Sequence, residues 1–432
     1  RTAYPVLVAN ALGITDFQEP LVGESRTVTN PATACLGATI VAGAIQPGPV
    51  SQPGAPTNST LPRPYDNLGL PSSAKAQDLV DLRVSNPTAG GVNASGALVL
   101  RNFPTGPFEN RNAIEETNLL SPDLVSVWIG SNDVLGAALA GVAIENVTMT
   151  PKATFDTKYA AVVSGLRATG RTLVVLNIPD VTAVPFTTTF GISRTVGTTT
   201  VPFLGPRTTA TCTTAPCPIP AGSLVTLQAG TLLATGHGIP AAAGGLGDAL
   251  PDGSVGATGL VPGVILYPDE VALIQQRTND MNATIASVAA ANNAILIDIH
   301  AIFDDVKAHG YTVGGITFTN ALLQGGLFSA DGFHPSNIAQ AIIADEIIKA
   351  LNRVNGSNFP EVNFSTAFFT PNVPPAAATA LSANDFWRSI FAMFAPDMDI
   401  ILPTEERSGP IAPTRPSRGT RASQVKRGDI LP

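Results

Sequence analysis

The sequence predicts an α/β fold: a three-layer α/β/α sandwich built on a parallel sheet. Three observations carry this. Short β-branched runs recur along the chain, each leads into a segment of helical periodicity, and the runs are too uniformly apolar for half-exposed strands. A strand that is apolar on both faces needs helices on both sides of its sheet. The clearest strands are 124–129 (Leu-Val-Ser-Val-Trp-Ile), 172–176 (Thr-Leu-Val-Val-Leu) and 294–298 (Ala-Ile-Leu-Ile-Asp). From Asp269, the apolar positions Ile274, Met281, Ile285 and Val288 recur at spacings of seven, four and three, one face of a helix after a Pro-Asp start. Similar stripes mark helices over 155–168 and 337–352, the latter through Ile338, Ile342, Ile343 and Ile347.

Two regions break the alternation. Residues 186–262 are rich in Thr, Gly, Ala and Pro and nearly free of charge, so they read as an insertion placed after the strand at 172, expected to form a mobile cap near the cleft. Beyond 354 the chain turns Pro- and Asn-rich, with a short aromatic helix expected at 385–394. The end, 403–432, scatters Arg407, Arg415, Arg418, Arg421, Lys426 and Arg427 among Pro, Ser and Gly, the composition of a disordered basic tail. The expected organisation is one domain over 1–353 containing the insertion, an extension over 354–402, and the tail.

Composition sets outer bounds. The 432 residues hold 24 Lys and Arg against 32 Asp and Glu, a net charge of −8, and the basic residues cluster only in the tail. A protein that neutralises phosphates needs clustered cations, so nucleic acid is not the expected partner. At 44% hydrophobic and 13% charged, the chain can bury a large core. No uninterrupted apolar run reaches the ~18 residues of a membrane span. Of three cysteines, Cys35 stands alone, while Cys212 and Cys217 either close a small loop in an oxidising compartment or remain two unpaired thiols. None has the spacing of a metal site, and no cofactor is expected.

Two constellations carry chemistry. Gly130-Ser131-Asn132-Asp133 stands at the C-terminal end of the first strand, where open α/β sheets bind ligands. An Asn amide there can stabilise a developing oxyanion, although the same four residues are also good turn and helix-cap chemistry. The second is Ser329-Ala-Asp331-Gly-Phe-His334-Pro-Ser336. An Asp three residues before a His, in an Asp-Gly turn, lets the carboxylate fold back onto the imidazole and fix its tautomer, which leaves the other ring nitrogen as a general base. Among the four histidines, His334 ranks first over His237, His300 and His309.

Together these strings resemble the SGNH, or GDSL-type, superfamily of serine ester hydrolases, and look like its bacterial, exported members. Gly130-Ser131-Asn132-Asp133 is similar to the family's third block and Asp331-Gly332-Phe333-His334 to its fifth. The resemblance implies an SGNH-like, flavodoxin-like fold and esterase or lipase activity on small-molecule, lipid or glycan esters. It makes His334 the base, Asp331 its orienting partner and Asn132 an oxyanion donor, with Gly130 and Asp133 in support. The family's second block falls in 65–75, where its Gly position is taken by Ser72, with Ser73 and Gly69 as neighbouring alternatives. Ser72 is therefore the expected second oxyanion donor, through its backbone N–H. The first block, Gly-Asp-Ser-Leu, occurs nowhere in the 432 residues, and neither does an Asp-Ser dipeptide or a Gly-x-Ser-x-Gly elbow. The resemblance thus places the nucleophilic serine, the first central strand and any export signal upstream of Arg1, and the protein outside the cytoplasm. A sheet lacking its central strand is expected to be poorly stable. The other reading is a non-catalytic glycan- or lipid-binding protein on the same fold, in which the serine is truly absent.

Overall fold

The computed structural model describes residues 3–21, 26–27, 38–41, 44–47, 51–52, 57–70, 73–83, 92–101, 103–257 and 259–364. Ser72, the aromatic segment 385–394 and the tail 403–432 lie outside them. The elements that build the site are, in chain order, α1 (Tyr4–Ala11), α2 (Ala76–Asp81), α3 (Ala113–Leu120), β1 (Leu124–Trp128), α4 (Ser131–Ala140), α5 (Lys152–Leu166), β2 (Thr172–Leu176), α6 (Pro185–Thr188), α7 (Pro268–Ala291), β3 (Ile295–Ile297), α8 (Ile299–His309) and α9 (Asn337–Asn355). The three expected strands and the three expected long helices are all present, with ends moved by a few residues.

Local chemistry sets several of those ends. Helix α3 opens on a capping box in which the Asn112 side chain accepts from Glu115 N at 2.9 Å and Glu115 accepts from Asn112 N at 3.2 Å. Asp298 caps α8 by accepting from Ala301 N at 3.0 Å, and Ser336 caps α9 by accepting from Ile338 N at 3.2 Å.

The strands form one parallel sheet in the order β3-β2-β1, with Leu124 paired to Thr172 and Ile295 to Val174. Because side chains alternate along a strand, the sheet feeds two apolar clusters. Val125, Val127, Leu173, Val175 and Leu296 join residues of α4, α5 and α7, such as Leu135, Phe155 and Ile274. Leu124, Trp128, Val174, Leu176 and Ile297 join residues of α1, α8 and α9, such as Val8, Val306 and Ile343.

One expectation needs correction. Uniform burial holds for β2, but on β1 only Val127 is fully buried. Among the described residues β1 pairs on one side only, so its other flank stays half exposed. Part of that flank is met by Tyr4, whose ring lies edge-on to Trp128 with centroids 5.9 Å apart and whose hydroxyl sits 3.4 Å from Ser126 Oγ.

The 186–262 segment carries short strands and an apolar cluster of its own. Short antiparallel pairs, including Ser193–Val196 with Thr199–Pro202, enclose an apolar cluster of Phe203, Ile219, Val225, Leu233, Ile239 and Leu250. Cys212 and Cys217 are bonded, which settles the loop-closing reading. Arg207 pairs with Asp252 within the segment at 2.6 Å and fastens it to the start of α7 by pairing with Glu270 at 2.9 Å and lying over the Tyr267 ring.

Helix α3 carries a buried acid, Glu116. Glu116 is 1% exposed and its Oε2 lacks a hydrogen-bond partner among the described residues. Burial pushes its carboxyl up to about 8 against the pull of Arg101. Folding therefore takes up a proton between pH 4.5, the ordinary value, and pH 8, and stability falls as pH rises through that window. Glu116→Gln should flatten this slope and stabilise the protein at pH 8 by on the order of a few kcal/mol, read from urea midpoints. An unchanged slope would refute the assignment.

Candidate active site

A cavity of about 360 Å³ opens at the C-terminal ends of β1 and β2. Its walls include Ile129 to Asn132 after β1, Pro179 to Val181 after β2, Asn67, Gly69, Leu70 and Ala74 from the preceding segment, and Phe333, His334 and Pro335 from the loop before α9. This is where the topology of an open α/β sheet leaves a crevice.

The sharp turn at Gly130 builds the first wall. Its φ of +122° is forbidding for an L side chain, and a Cβ there would stand 2.7 Å from Ile178 Cδ1 and 3.1 Å from Phe155 Cε2. The turn starts α4 and sets the next residues in opposite environments. Asn132 lines the cavity and donates from Nδ2 to the Ala74 carbonyl at 3.0 Å. Asp133 points into the core, fully buried, and accepts from Ala76 N at 3.0 Å. Burial pushes the Asp133 carboxyl up to about 6, with the Ala76 amide holding it back. Adjacent side chains thus hold 74–76, directly after the second-block position, against the third block. Of the second-block alternatives, Gly69 lines the cavity and Ser73 is buried.

The loop before α9 folds as its spacing predicts. Asp331 Oδ2 lies 2.7 Å from His334 Nδ1, while Oδ1 accepts from Phe333 N at 2.8 Å, His334 N at 3.0 Å and Ser329 Oγ at 2.7 Å. A carboxylate can only accept, so Nδ1 carries the proton and Nε2 is left as the basic nitrogen. Burial alone would raise the Asp331 carboxyl; the His334 charge and the converging donors outweigh it and hold it down at about 2. For His334, the surrounding protein disfavours the charged ring, and Asp331's charge and hydrogen bond overcome this to raise the pKa above 6.5.

These shifts make a prediction. A carboxyl ionised down to about 2 in the folded chain, against 3.8 ordinarily, stabilises the fold above that ordinary value and ceases to do so as pH falls from 3.8 to 2. Asp331→Asn should remove about 2 kcal/mol of acid-dependent stability across that window, read from urea midpoints at pH 5 and pH 2. A variant with the parent's acid slope would contradict the pairing.

All four histidines turn out to have carboxylate partners. His237 pairs with Asp248 at 2.5 Å, His309 with Asp305 at 2.8 Å, and His300 Nε2 lies 3.5 Å from Asp304. An acidic neighbour therefore does not discriminate among them; position does, because His334 lines the cavity and the other three do not. Ala74, Ala76 and Ser329 add to the site residues that the sequence pattern marks. Ser329 was visible two residues before Asp331, whereas the two alanines carry no chemical signal.

None of the described residues of 186–262 lines the cavity. The segment reaches the site indirectly, through Phe186 stacked on Phe333 with ring centroids 4.1 Å apart. Among the described residues there is no group of three His, Cys, Asp or Glu placed to hold a metal ion, and no helix is long and apolar enough to cross a membrane.

No curated protein and no solved structure matches the chain. The sequence pattern of the GDSL-like lipase/acylhydrolase family, in contrast, matches residues 50–347, more than half of the chain and a span that holds Asn132, Asp331 and His334. The chain belongs to the GDSL-like lipase/acylhydrolase family.

Proposed function

We propose that the protein is a serine hydrolase of carboxylic esters, with His334 as general base and acid, Asp331 as its orienting partner, and a nucleophilic serine on a segment preceding Arg1. The observation that carries this is the 2.7 Å Asp331–His334 pair set in the same cavity as Asn132. Ala3, Tyr4 and Pro5 line that cavity too. Among the described residues β1 pairs on one side only, which leaves an edge on which a further parallel strand would complete a three-layer α/β/α sandwich.

In this reading the serine Oγ attacks the ester carbonyl carbon while His334 Nε2 takes the hydroxyl proton. Asn132, the serine's own N–H and the backbone N–H at Ser72 receive the oxyanion. Collapse breaks the bond to the alcohol oxygen, and His334 returns the proton to that oxygen. Water then repeats the sequence on the acyl-enzyme and releases the acid. Largely apolar walls, Leu70, Ile129, Leu135, Val181 and Phe328 among them, suit the acyl part of a small-molecule, lipid or glycan ester. The Cys212–Cys217 bond supports an exported protein.

The test compares the 432-residue chain with protein carrying its natural upstream segment. Hydrolysis of p-nitrophenyl esters is expected from the longer protein and not from the shorter. If the upstream segment adds no activity, the non-catalytic glycan- or lipid-binding reading, which the missing Gly-Asp-Ser-Leu block favours, replaces this one.

A further inference from the structure

The insertion meets the loop of the site through its first helix and the segment 224–228. Helix α6, its first turn, packs on the loop between Asp331 and His334. The Phe186 side chain is fully buried and stacks on Phe333 at an interplanar angle of 30°. Phe186 N donates to the Gly332 carbonyl at 3.2 Å, and Leu227 N donates in turn to the Phe186 carbonyl at 2.8 Å. Gly332, at φ +79°, permits this approach: a Cβ there would lie 3.0 Å from Phe186 N and 3.1 Å from Leu227 Cδ1.

The consequence lies in a single peptide group. The Gly332 carbonyl and the Phe333 N–H belong to the same plane; the carbonyl is held by Phe186, and the N–H donates to Asp331 Oδ1 at 2.8 Å. Hydrogen bonds at the two ends of one peptide polarise each other and fix its rotation. We propose that the insertion buttresses the His334 loop, with Phe186 as a positioning residue that pins the Gly332–Phe333 peptide and thereby the Asp331 carboxylate that orients His334. The catalytic part of this statement rests on His334 being the base of the hydrolase; the positioning itself does not.

Charge does not confound the test. The insertion segments against the loop, Pro185–Thr188 and 224–228, hold no charged residue. The charged groups on the cavity walls, Asp180 after β2 and Asp304 and Lys307 on α8, are untouched when Phe186 is trimmed.

The experiment follows the His334 ring by NMR titration in the full-length protein carrying selectively labelled histidine, assigned by loss of its signal in His334→Ala. Phe186→Leu is expected to move the His334 midpoint down towards 6.5, the value of an unpaired imidazole. It should also lower kcat for ester hydrolysis about tenfold with KM within about twofold. Phe333→Leu should act in the same direction, and the double variant should show less than the sum of the two. Asp248→Asn, which breaks the ion pair with His237 elsewhere in the insertion, should leave the His334 midpoint unmoved. Phe186→Met replaces the leucine variant if that one melts below the working temperature. An unshifted midpoint in folded Phe186 variants, or an equal shift in Asp248→Asn, overturns the proposal. Because the titration needs no turnover, a downward shift in a protein without esterase activity would defeat the hydrolase reading and leave the buttress standing.

Discussion

In full-length protein, His334→Ala should lower kcat for p-nitrophenyl ester hydrolysis by about 10⁴-fold or more while leaving KM nearly unchanged. Both steps of the proposed chemistry pass a proton through the same ring nitrogen, so no second group shares the loss. The effect should be chemical rather than structural, because the side chain is exposed on the cavity wall and alanine leaves the loop backbone intact. A cooperative urea transition, with the midpoint lowered only by loss of the Asp331 pairing, would confirm that separation. In the parent, activity should rise with pH along an acid limb centred above 6.5, since the base works as the neutral ring and Asp331 raises its pKa. A variant retaining more than a tenth of the parental kcat would remove His334 from the mechanism.

Gly130→Ala is expected to be the most damaging small substitution for the fold. It asks a side chain to sit at φ +122° and to overlap Ile178 and Phe155, both part of the main apolar cluster. Backbone strain of this kind costs ~1–3 kcal/mol, and overpacking a core adds ~1–3 kcal/mol more. A loss of at least ~2 kcal/mol in urea unfolding is predicted. Relief by moving the turn would displace Asn132 from Ala74 and Asp133 from Ala76, so residual activity should fall with stability. A change below about 1 kcal/mol would show that the turn tolerates a Cβ and that its glycine is incidental.

What the sequence disclosed was the local part of the design. Asp331 and His334 are three residues apart in a turn whose hydrogen bonds close within the loop, and the run at 172–176 reads directly as a buried strand. Periodicity likewise located α7, whose buried residues include Ile274, Met281 and Ile285. Contacts that join distant segments left no such trace. Ala74 and Ala76 meet Asn132 and Asp133 through main-chain atoms 58 and 57 residues away, and a backbone carbonyl or N–H is present whatever the side chain. The insertion defeated pattern reading for another reason. Its strands are two to four residues long, too short for an alternation to register, and it is held by a disulfide, the Arg207 ion pairs and a compact apolar cluster. Its touch on the Asp331–His334 loop depends on two phenylalanines 147 residues apart, each of which alone reads as ordinary core. Both faces of the strand at 124–128 meet helices, as its composition implies, but among the described residues it pairs with a neighbouring strand on one side only, which composition does not reveal.

The central claim is that a serine preceding Arg1 is brought into the cavity beside His334 and made nucleophilic there. Its most direct test is a fluorophosphonate probe, which reacts with an activated serine hydroxyl, applied to the full-length protein and followed by mapping of the modified peptide. The account predicts one labelled serine, on a peptide upstream of Arg1, with labelling abolished by His334→Ala. Absence of labelling, or a labelled serine within the 432 residues, would contradict it.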